Sequence, residues 1–358
     1  MQLIFDQIKQ QKKQNLPFVL YRKPNSKSVI LILQENDHVY FTHNYTDKGF
    51  VFATFNDANN IIFPLEFSKI NFDTFKEKKI RKPVLKVFKT KNDDKLHFTD
   101  LITKAVKVIR EGILTKVVLS RSETLKIKNF KSKKTFVKIM QSYPTAFCYY
   151  WYHPKVGTWM GASPEKLVSI KSGKINTTAL AGTQVFQAIE TVVWKSKEKA
   201  EQEIVAQYLS EKLKTFTSKL QISKPYTFKA GNVVHLKTDF EGELIPNITT
   251  QNIIEVLHPT PAICGFPMLD AKQYILENEN YDRTFYTGFF GELNYDFNTN
   301  EEASDLHVNL RCMKIEQDAA NEKSKISLFM GCGITKDSIP ENEWEETVNK
   351  SKTMKSIL

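Results

Sequence analysis

Two pairs of glutamates have the spacing that bears most directly on chemistry. Glu198 and Glu201 lie three residues apart in a predicted helix, and Glu343 and Glu346 repeat that spacing near the C-terminus. Residues three apart in a helix share one face, so each pair alone is typical of a solvated helix surface. Two such pairs on separate helices can instead converge on a hard cation. Mg²⁺ commonly takes one or two carboxylates, several waters and an anionic substrate group, whereas no Cys/His spacing supports zinc.

Three further positions offer groups that a reaction could use. Lys116 begins the apolar segment KVVLSR; a lysine there usually extends to solvent, but an enclosed lysine has a lowered pKa and can act as a base. Glu165 in GASPEKL is a carboxyl at a predicted turn and says little by itself. Residues Gly331 to Gly333 follow an apolar strand and predict a turn whose backbone N–H groups bind an anion. None of these signals suffices alone.

The elements that must position these residues follow from the hydrophobic pattern. Residues 1–95 read as short strands joined by polar turns, with an exposed connection at 76–83, and residues 96–358 hold the candidate chemistry. A helix is predicted from Thr99 as N-cap to Gly112, followed by a strand from Lys116. Further helices are predicted at 198–214, 252–257 and the C-terminus, with strands between them. Long antiparallel strands alternating with a few helices indicate an α+β fold in a single large domain.

The amino-acid composition indicates what class of protein the chain is. The chain has 358 residues, 41% hydrophobic and 25% charged, which is ordinary for a globular protein with a large core. It has no run of about 18 apolar residues, so we expect no transmembrane helix. The N-terminal residues lack the apolar stretch of a signal peptide, so we expect a cytoplasmic protein. The four cysteines form no C-x-x-C motif and are expected to be reduced and mostly buried.

The net charge of +11 invites a nucleic-acid hypothesis. The surplus is largely lysine spread along the chain, whereas nucleic-acid modules usually add arginine and aromatic residues on one face. A solvated, lysine-rich surface is therefore favoured, and no nucleic-acid or membrane partner is expected. A positive potential of this kind would still attract a small anionic substrate.

Nine segments, taken in their order along residues 97–358, resemble the chorismate-utilising enzyme family, which includes isochorismate, salicylate, anthranilate and aminodeoxychorismate synthases. Residues 1–95 match that family poorly. The resemblance implies two large antiparallel sheets stacked face to face and flanked by helices, with the active site between the layers. The matching segments are KVVLSR (116–121), GASPEKLV (161–168), TALAGT (178–183), KEKAEQEI (197–204), VVHL (233–236), LHPTPAICGFP (257–267), RTFYTGFFGELN (283–294), LHVNLRCMKI (306–315) and FMGCGITKDSIPENEWEETVNKSKTM (329–354).

The resemblance also implies roles for the residues that match its motifs. Lys116 falls on the lysine that activates water for attack at C2 of chorismate, and Glu165 on the acid that protonates the departing C4 hydroxyl. The glutamates divide into expected Mg²⁺ ligands and outer carboxylates that reach the metal directly or through water. The expected ligands are Glu201 and Glu346, and the expected outer carboxylates are Glu198 and Glu343.

The remaining matches are expected to bind the substrate. Arg311 and Tyr286 correspond to residues that hold the pyruvyl-ether carboxylate of chorismate, with help from the backbone of Gly331 and Gly333. The other expected contacts surround the ring, the leaving hydroxyl and the carboxylate cluster. They are Gly182 and Thr183 at the ring, His235 near the leaving hydroxyl, Lys350 beside the carboxylates, and Ala262.

Within the family, Ala262 in HPTPA is typical of isochorismate synthases, and Ala181 stands where aminodeoxychorismate synthases place a nucleophilic lysine. The sequence thus predicts a monomeric, Mg²⁺-dependent isochorismate synthase and leaves its downstream pathway open. Tyr286 and Leu310 are also favoured by salicylate synthases, which remain the alternative. Two residues depart from the usual pattern of the family. Gln202 stands where the family usually has a histidine, and Cys332 is the middle residue of the Gly331–Gly333 segment.

Overall fold

Two antiparallel sheets form the centre of the computed structural model, which describes residues 1–76, 92–185, 192–230, 233–318 and 323–358. Within those residues, helices cover the outer faces of both sheets. The described helices are α1 (Gln2–Lys13), α2 (Asn92–Arg110), α3 (Ser132–Ser142), α4 (Ser196–Lys214), α5 (Thr250–Leu257), α6 (Met268–Asn278) and α7 (Pro340–Lys355). The α+β fold with two stacked sheets is confirmed.

The first sheet has the strand order β15-β7-β19-β18-β9-β8-β1-β2-β6 among the described residues. Its inner strand β1 is buried along its whole length, in agreement with its apolar run FVLY, whereas the edge strand β6 has exposed and partly exposed residues throughout. The bounds are β1 (Phe18–Arg22), β2 (Ser28–Gln34), β6 (Ser68–Thr74), β7 (Lys116–Lys128), β8 (Phe147–His153), β9 (Gly157–Ser163), β15 (Gly265–Phe266), β18 (Cys312–Asp318) and β19 (Lys323–Ile334).

The second sheet has the order β12-β14-β11-β10-β17-β16-β4-β5-β3, with β13 paired to β14. The N-terminal strands are divided between the two sheets, and residue 95 itself lies inside α2. The bounds are β3 (Tyr40–Phe41), β4 (Gly49–Phe52), β5 (Ile61–Pro64), β10 (Lys166–Lys171), β11 (Lys174–Val185), β12 (Thr217–Ile222), β13 (Tyr226–Ala230), β14 (Val233–Leu244), β16 (Phe289–Leu293) and β17 (Ala303–Val308).

Aromatic side chains fill the space between the sheets. Phe52 of the second sheet stacks on Trp151 of the first with ring centroids 4.8 Å apart, and its ring lies 4.5 Å from Phe285. Phe147, Tyr149 and Trp159 belong to the same buried cluster. The outward faces of the sheets pack against helices, so each sheet is covered on both sides through most of its width.

Several local expectations were wrong. Thr99 does not cap α2, because the helix begins about two turns earlier at Asn92, where Asp93 and Asp94 favour a helix N-terminus. The Thr99 hydroxyl instead donates to the carbonyls of Lys95 and Leu96. The helix does end as expected, at Arg110, two residues before Gly112, whose φ is +81°. The predicted connection at 76–83 falls, except for residue 76, outside the described residues.

The Gly331–Gly333 segment is a strand, not a turn. Gly331 pairs with Ser120 and Gly333 with Val118, so β19 runs on through both glycines to Ile334. The strand continues because β7 offers it a partner over twelve residues, a long-range constraint that a local glycine pattern does not reveal. The helices α1, α3 and α6 were also missed, α1 in a region read entirely as strands.

The expectation for the cysteines agrees with the structure. The four cysteines are free and buried. Among the helices that the structure describes, none combines the length and apolar character of a membrane span.

Replacing Phe52 with alanine should lower the free energy of unfolding by about 3–5 kcal/mol, because it opens a cavity in the aromatic layer between the sheets. Urea denaturation measures this change. Phe72→Ala is the matched control: Phe72 is 54% exposed on β6 and its replacement should cost less than about 1 kcal/mol. Equal losses for the two variants would contradict the described packing.

Candidate active site

A cavity between the two sheets gathers most of the residues singled out from the sequence. Its wall combines β7 and β19 of the first sheet with β11 and β14 of the second, and α4 and α7 close one side. Twelve of the predicted site residues line it: Lys116, Glu165, Gly182, Glu201, His235, Ala262, Tyr286, Arg311, Gly331, Gly333, Glu346 and Lys350. Residues that are far apart in the sequence therefore come together only when the two sheets pack against each other.

Lys116 is a buried lysine at the first position of β7. Its backbone pairs with Phe266 of β15, and its side chain is 1% exposed. Burial lowers the pKa of Lys116, and the nearby positive charge of Lys350 adds to this, while Glu201 and Glu165 partly oppose it. A lysine in this state can lose its proton nearer to neutral pH than a solvated one and can then accept one from water.

Glu165 lies in the short connection between β9 and β10. Its backbone N–H donates to Ser163 Oγ at 3.3 Å, and its carbonyl accepts from Val308 N at 3.0 Å, so β17 fixes its position. Burial raises the pKa of Glu165 to about 7, although Lys116 and other cations oppose the shift. The carboxyl is therefore a proton donor near neutral pH.

His235 faces Gly182 across a bulge in the pairing of β14 with β11. The register shifts between Ala181 and Thr183, and Gly182 adopts a φ of +69° there. A Cβ on Gly182 would lie 2.9 Å from Glu198 Cβ, so the bulge needs glycine to let α4 approach. Burial lowers the pKa of His235 to about 3, which keeps its ring neutral, and its Nδ1 lies 3.0 Å from the Gly182 carbonyl. The side chain of Thr183 lies outside the described part of the structure.

Two glycines of β19 keep the cavity open. A Cβ on Gly333 would lie 3.0 Å from Lys116 Cε and 3.2 Å from Glu201 Oε2. A Cβ on Gly331 would lie 3.1 Å from the Tyr286 hydroxyl oxygen. Any larger residue would therefore occupy the space where these functional side chains meet.

The two glutamate pairs divide between the cavity and its surroundings. Glu201 and Glu346 line the cavity, and Lys350 pairs with Glu346 at 2.6 Å while donating to the Gly331 carbonyl at 2.9 Å. Two carboxylates beside an open space fit Mg²⁺, which accepts few protein ligands and completes its shell with water and substrate oxygens. In the described ranges, no group of three or more His, Cys, Asp or Glu side chains is close enough to form a metal site of protein ligands alone.

The outer glutamates do not reach the cavity. Glu198 turns back to the start of α4, where its Oε2 accepts from Lys195 N at 3.0 Å. Glu343 is 1% exposed and contacts the Lys197 ammonium, which also lies 3.7 Å from Glu201 Oε1. Burial alone would lower the pKa of Lys197, but Glu343 and Glu201 raise it above its ordinary value.

Cationic and aromatic side chains also line the cavity. Arg311 adopts a φ of +48°, an uncommon conformation for a side chain of its size, and burial lowers the pKa of its guanidinium. Tyr286 is 3% exposed, and its ring stacks on Phe329 with centroids 5.5 Å apart. Together these groups can bind an anion next to a flat apolar surface.

Some residues that form or support the cavity were not predicted from the sequence. Phe329, Thr287 and Ile263 line the cavity without having been named. Arg283, in the quoted RTFYTGFF motif, donates to the carbonyls of Val118 and Ile263 and pairs with Glu279 at 2.6 Å, so it ties β7 to the cavity loop. Because Arg283 lies inside a motif that matches the family, that position could have identified it as a functional residue.

Comparisons with known proteins show which family the chain resembles. Residues 9–358 match a family model described as chorismate binding enzyme. Isochorismate synthase MenF of Escherichia coli strain K12 is 31% identical over 278 residues, which are 74% of this chain and 61% of that protein. MenF of Pasteurella multocida strain Pm70 is 28% identical over 275 residues, 74% of this chain and 62% of that protein. The matched region thus spans less than two thirds of these relatives. The solved structure of MenF from Escherichia coli superposes with a TM-score of 0.78 at 22% identity and covers 96% of this chain and 88% of that one.

The raised pKa of Glu165 should make the stability of the protein depend on pH. Between the ordinary pKa of 4.5 and about 7, the folded protein binds more protons at this carboxyl than the unfolded chain does. The free energy of unfolding therefore falls as pH rises through that window, whereas a glutamine contributes no such change. From about pH 5 to about pH 8, Glu165→Gln should gain about 2–3 kcal/mol relative to wild type in urea denaturation.

The control for this measurement is Glu203→Gln, which removes a carboxyl from the exposed face of α4. Its difference from wild type should stay constant over the same pH range. A constant difference for Glu165→Gln as well would show that this carboxyl is not held in its protonated form.

Proposed function

The chain belongs to the chorismate-binding enzyme family, and from that premise we propose that it is an isochorismate synthase, which converts chorismate to isochorismate with Mg²⁺ as cofactor. One observation carries the proposal. Lys116 and Glu165 share a cavity, and burial lowers the pKa of the first and raises the pKa of the second. A neutral base and a protonated acid in one site suit a reaction that moves a hydroxyl group from one ring carbon to another.

The proposed reaction requires one side chain that accepts a proton and another that donates one. Neutral Lys116 accepts a proton from the water molecule whose oxygen bonds to C2 of the ring. Protonated Glu165 donates to the C4 oxygen, which leaves as water while the ring double bonds shift. One water enters and one leaves, and the proton on Lys116 returns to Glu165 through solvent to restore both groups.

Chorismate carries two carboxylates, and we propose that different groups of the cavity bind each one. Arg311 and Tyr286 supply donors for one carboxylate. The other is directed to the side of Glu201 and Glu346, the residues that would hold Mg²⁺. Bound there, the cation supplies positive charge that neutralises this carboxylate and orients the ring. Lys350 and the β19 glycines shape the space between the two ends.

Two small residues support water as the nucleophile. Ala181 and Ala262 both line the cavity, so neither position presents an amine that could attack the ring. A salicylate synthase is the second candidate, since Tyr286 and Leu310 also line the cavity and are the residues that such enzymes favour. That enzyme would go on from isochorismate to eliminate pyruvate.

Purified protein with chorismate and Mg²⁺ should yield isochorismate, identified by chromatography and mass spectrometry. Lys116→Ala and Glu165→Gln should each lower kcat by about 10²–10⁴-fold, because each removes one proton-transfer group, with the fold retained in circular dichroism. Lys126→Ala, on the exposed side of the same strand β7, is the control and should keep full activity.

The products also separate the candidates. Salicylate with pyruvate as the main products would assign the second candidate, and anthranilate formed with ammonia would assign the aminating branch of the family. No conversion of chorismate at all would reject the proposal.

The dependence of kcat/KM on pH should be bell-shaped. Activity requires Lys116 without its proton and Glu165 with its proton, so one limb of the profile should lie near the Glu165 pKa of about 7. Steady-state rates at constant ionic strength and saturating Mg²⁺ measure the profile. A rate that is independent of pH from about pH 6 to about pH 8 would remove Glu165 as the proton donor.

A further inference from the structure

Lys197 is a cation between the carboxylates of two helices, and the reaction described above does not use it. It is the second residue of α4, and it precedes Glu198 directly. Its ammonium contacts Glu343 Oε1 on α7 and lies 3.7 Å from Glu201 Oε1 on its own helix. It is not among the residues that line the cavity.

These contacts balance charges that water does not reach well. The side chains of Glu343 and Glu201 are 2% and 11% exposed, whereas that of Lys197 is 27% exposed. A buried carboxylate without a nearby cation is costly, so this ammonium stabilises both groups. Glu346 has a cation of its own in Lys350. Among the described residues, Lys197 is the ion-pair partner of Glu201.

We propose that Lys197 is an internal counter-ion. In the metal-free protein its positive charge stands beside Glu201 in place of the charge of the divalent cation, and its ammonium must move away from Glu201 when metal binds. This inference rests on the proposed function, because it concerns the metal held by Glu201 and Glu346. The contact with Glu343 is the closer of the two. The ammonium can therefore withdraw from Glu201 while it keeps Glu343 as its partner.

The consequence is a competition between two cations for one carboxylate. An ammonium a few ångströms from a metal ligand repels an arriving divalent ion and weakens its binding. Removing the ammonium should strengthen metal binding, because it takes away one of the positive charges that act on Glu201, while those of Lys116 and Lys350 remain. The same change should destabilise the metal-free protein, since Glu343 and Glu201 both lose their neutralising charge.

Isothermal titration calorimetry of the full chain with MgCl₂, without chorismate, tests the competition. Lys197→Met keeps the length of the side chain and removes its charge, and it should tighten Mg²⁺ binding on the order of tenfold. Lys199→Met is the matched control, because Lys199 is exposed two residues further along the same helix. The control should bind Mg²⁺ with the affinity of the wild type.

Thermal unfolding gives a second readout that needs no activity. Without Mg²⁺, Lys197→Met should unfold at a lower temperature than wild type, and saturating Mg²⁺ should raise its unfolding temperature by more. Lys197→Arg keeps the positive charge and should remain folded. Its guanidinium can bind the two carboxylates through several donors at once, so it should bind Mg²⁺ more weakly than wild type.

The outcomes separate this inference from the proposed function. Wild-type protein that binds Mg²⁺ while Lys197→Met binds it equally or more weakly would overturn the counter-ion role and leave the metal site intact. Folded wild-type protein that binds no Mg²⁺ would reject the metal site and this inference with it. If Lys197→Met does not fold, Lys197→Arg decides, and Mg²⁺ affinity equal to or above that of wild type would overturn the role.

Discussion

The pairing of β7 with β19 is the constraint on which the site depends. The two strands pair over twelve residues, and their register sets Gly333 opposite Val118 and Gly331 opposite Ser120. This places the glycines beside the start of β7, so that the Lys116 side chain has room to enter the cavity. A slip of one residue would turn every side chain of the strand to the other face of the sheet. The long pairing of β7 with β19 therefore fixes the position of the Lys116 amine.

Burial then determines what the assembled groups can do. The cavity removes water from a lysine, a glutamate and a histidine, and each responds by favouring its neutral form. Burial also raises the pKa of Glu201 and of Glu343, but positive charges oppose that rise: Lys116 and Lys197 at Glu201, and Lys197 at Glu343. Lys350 lies against Glu346. Groups suited to proton transfer thus stand next to carboxylates whose negative form is stabilised by neighbouring cations.

The aromatic layer between the sheets supplies the rigidity that this arrangement requires. Phe52, Trp151 and their neighbours fill the space beside the cavity, and Phe329 and Tyr286 continue the layer to the cavity wall. Arg283 adds a polar tie, because it bonds the backbones of β7 and of the loop that carries Ala262. Side chains in a close-packed interior have little freedom to move, so the reacting groups keep their positions.

The sequence by itself determined the α+β class, the strand from Lys116, the helices of both glutamate pairs, and, through motif order, the family and most of the cavity residues. These depend on local periodicity or on residue identity at matched positions. Tertiary structure alone decided that Gly331–Gly333 is a strand. The start of α2 at Asn92 does have a local signal, the acidic residues Asp93 and Asp94 of its first turn. The motif match separates Glu201 and Glu346 from Glu198 and Glu343, and the structure adds where each side chain lies. Glu201 and Glu346 line the cavity, while Glu198 caps α4 and Glu343 contacts Lys197. Spacing puts both members of a pair on one helix face, but the packing of α4 against β11 and of α7 against β19 sets which member points inward.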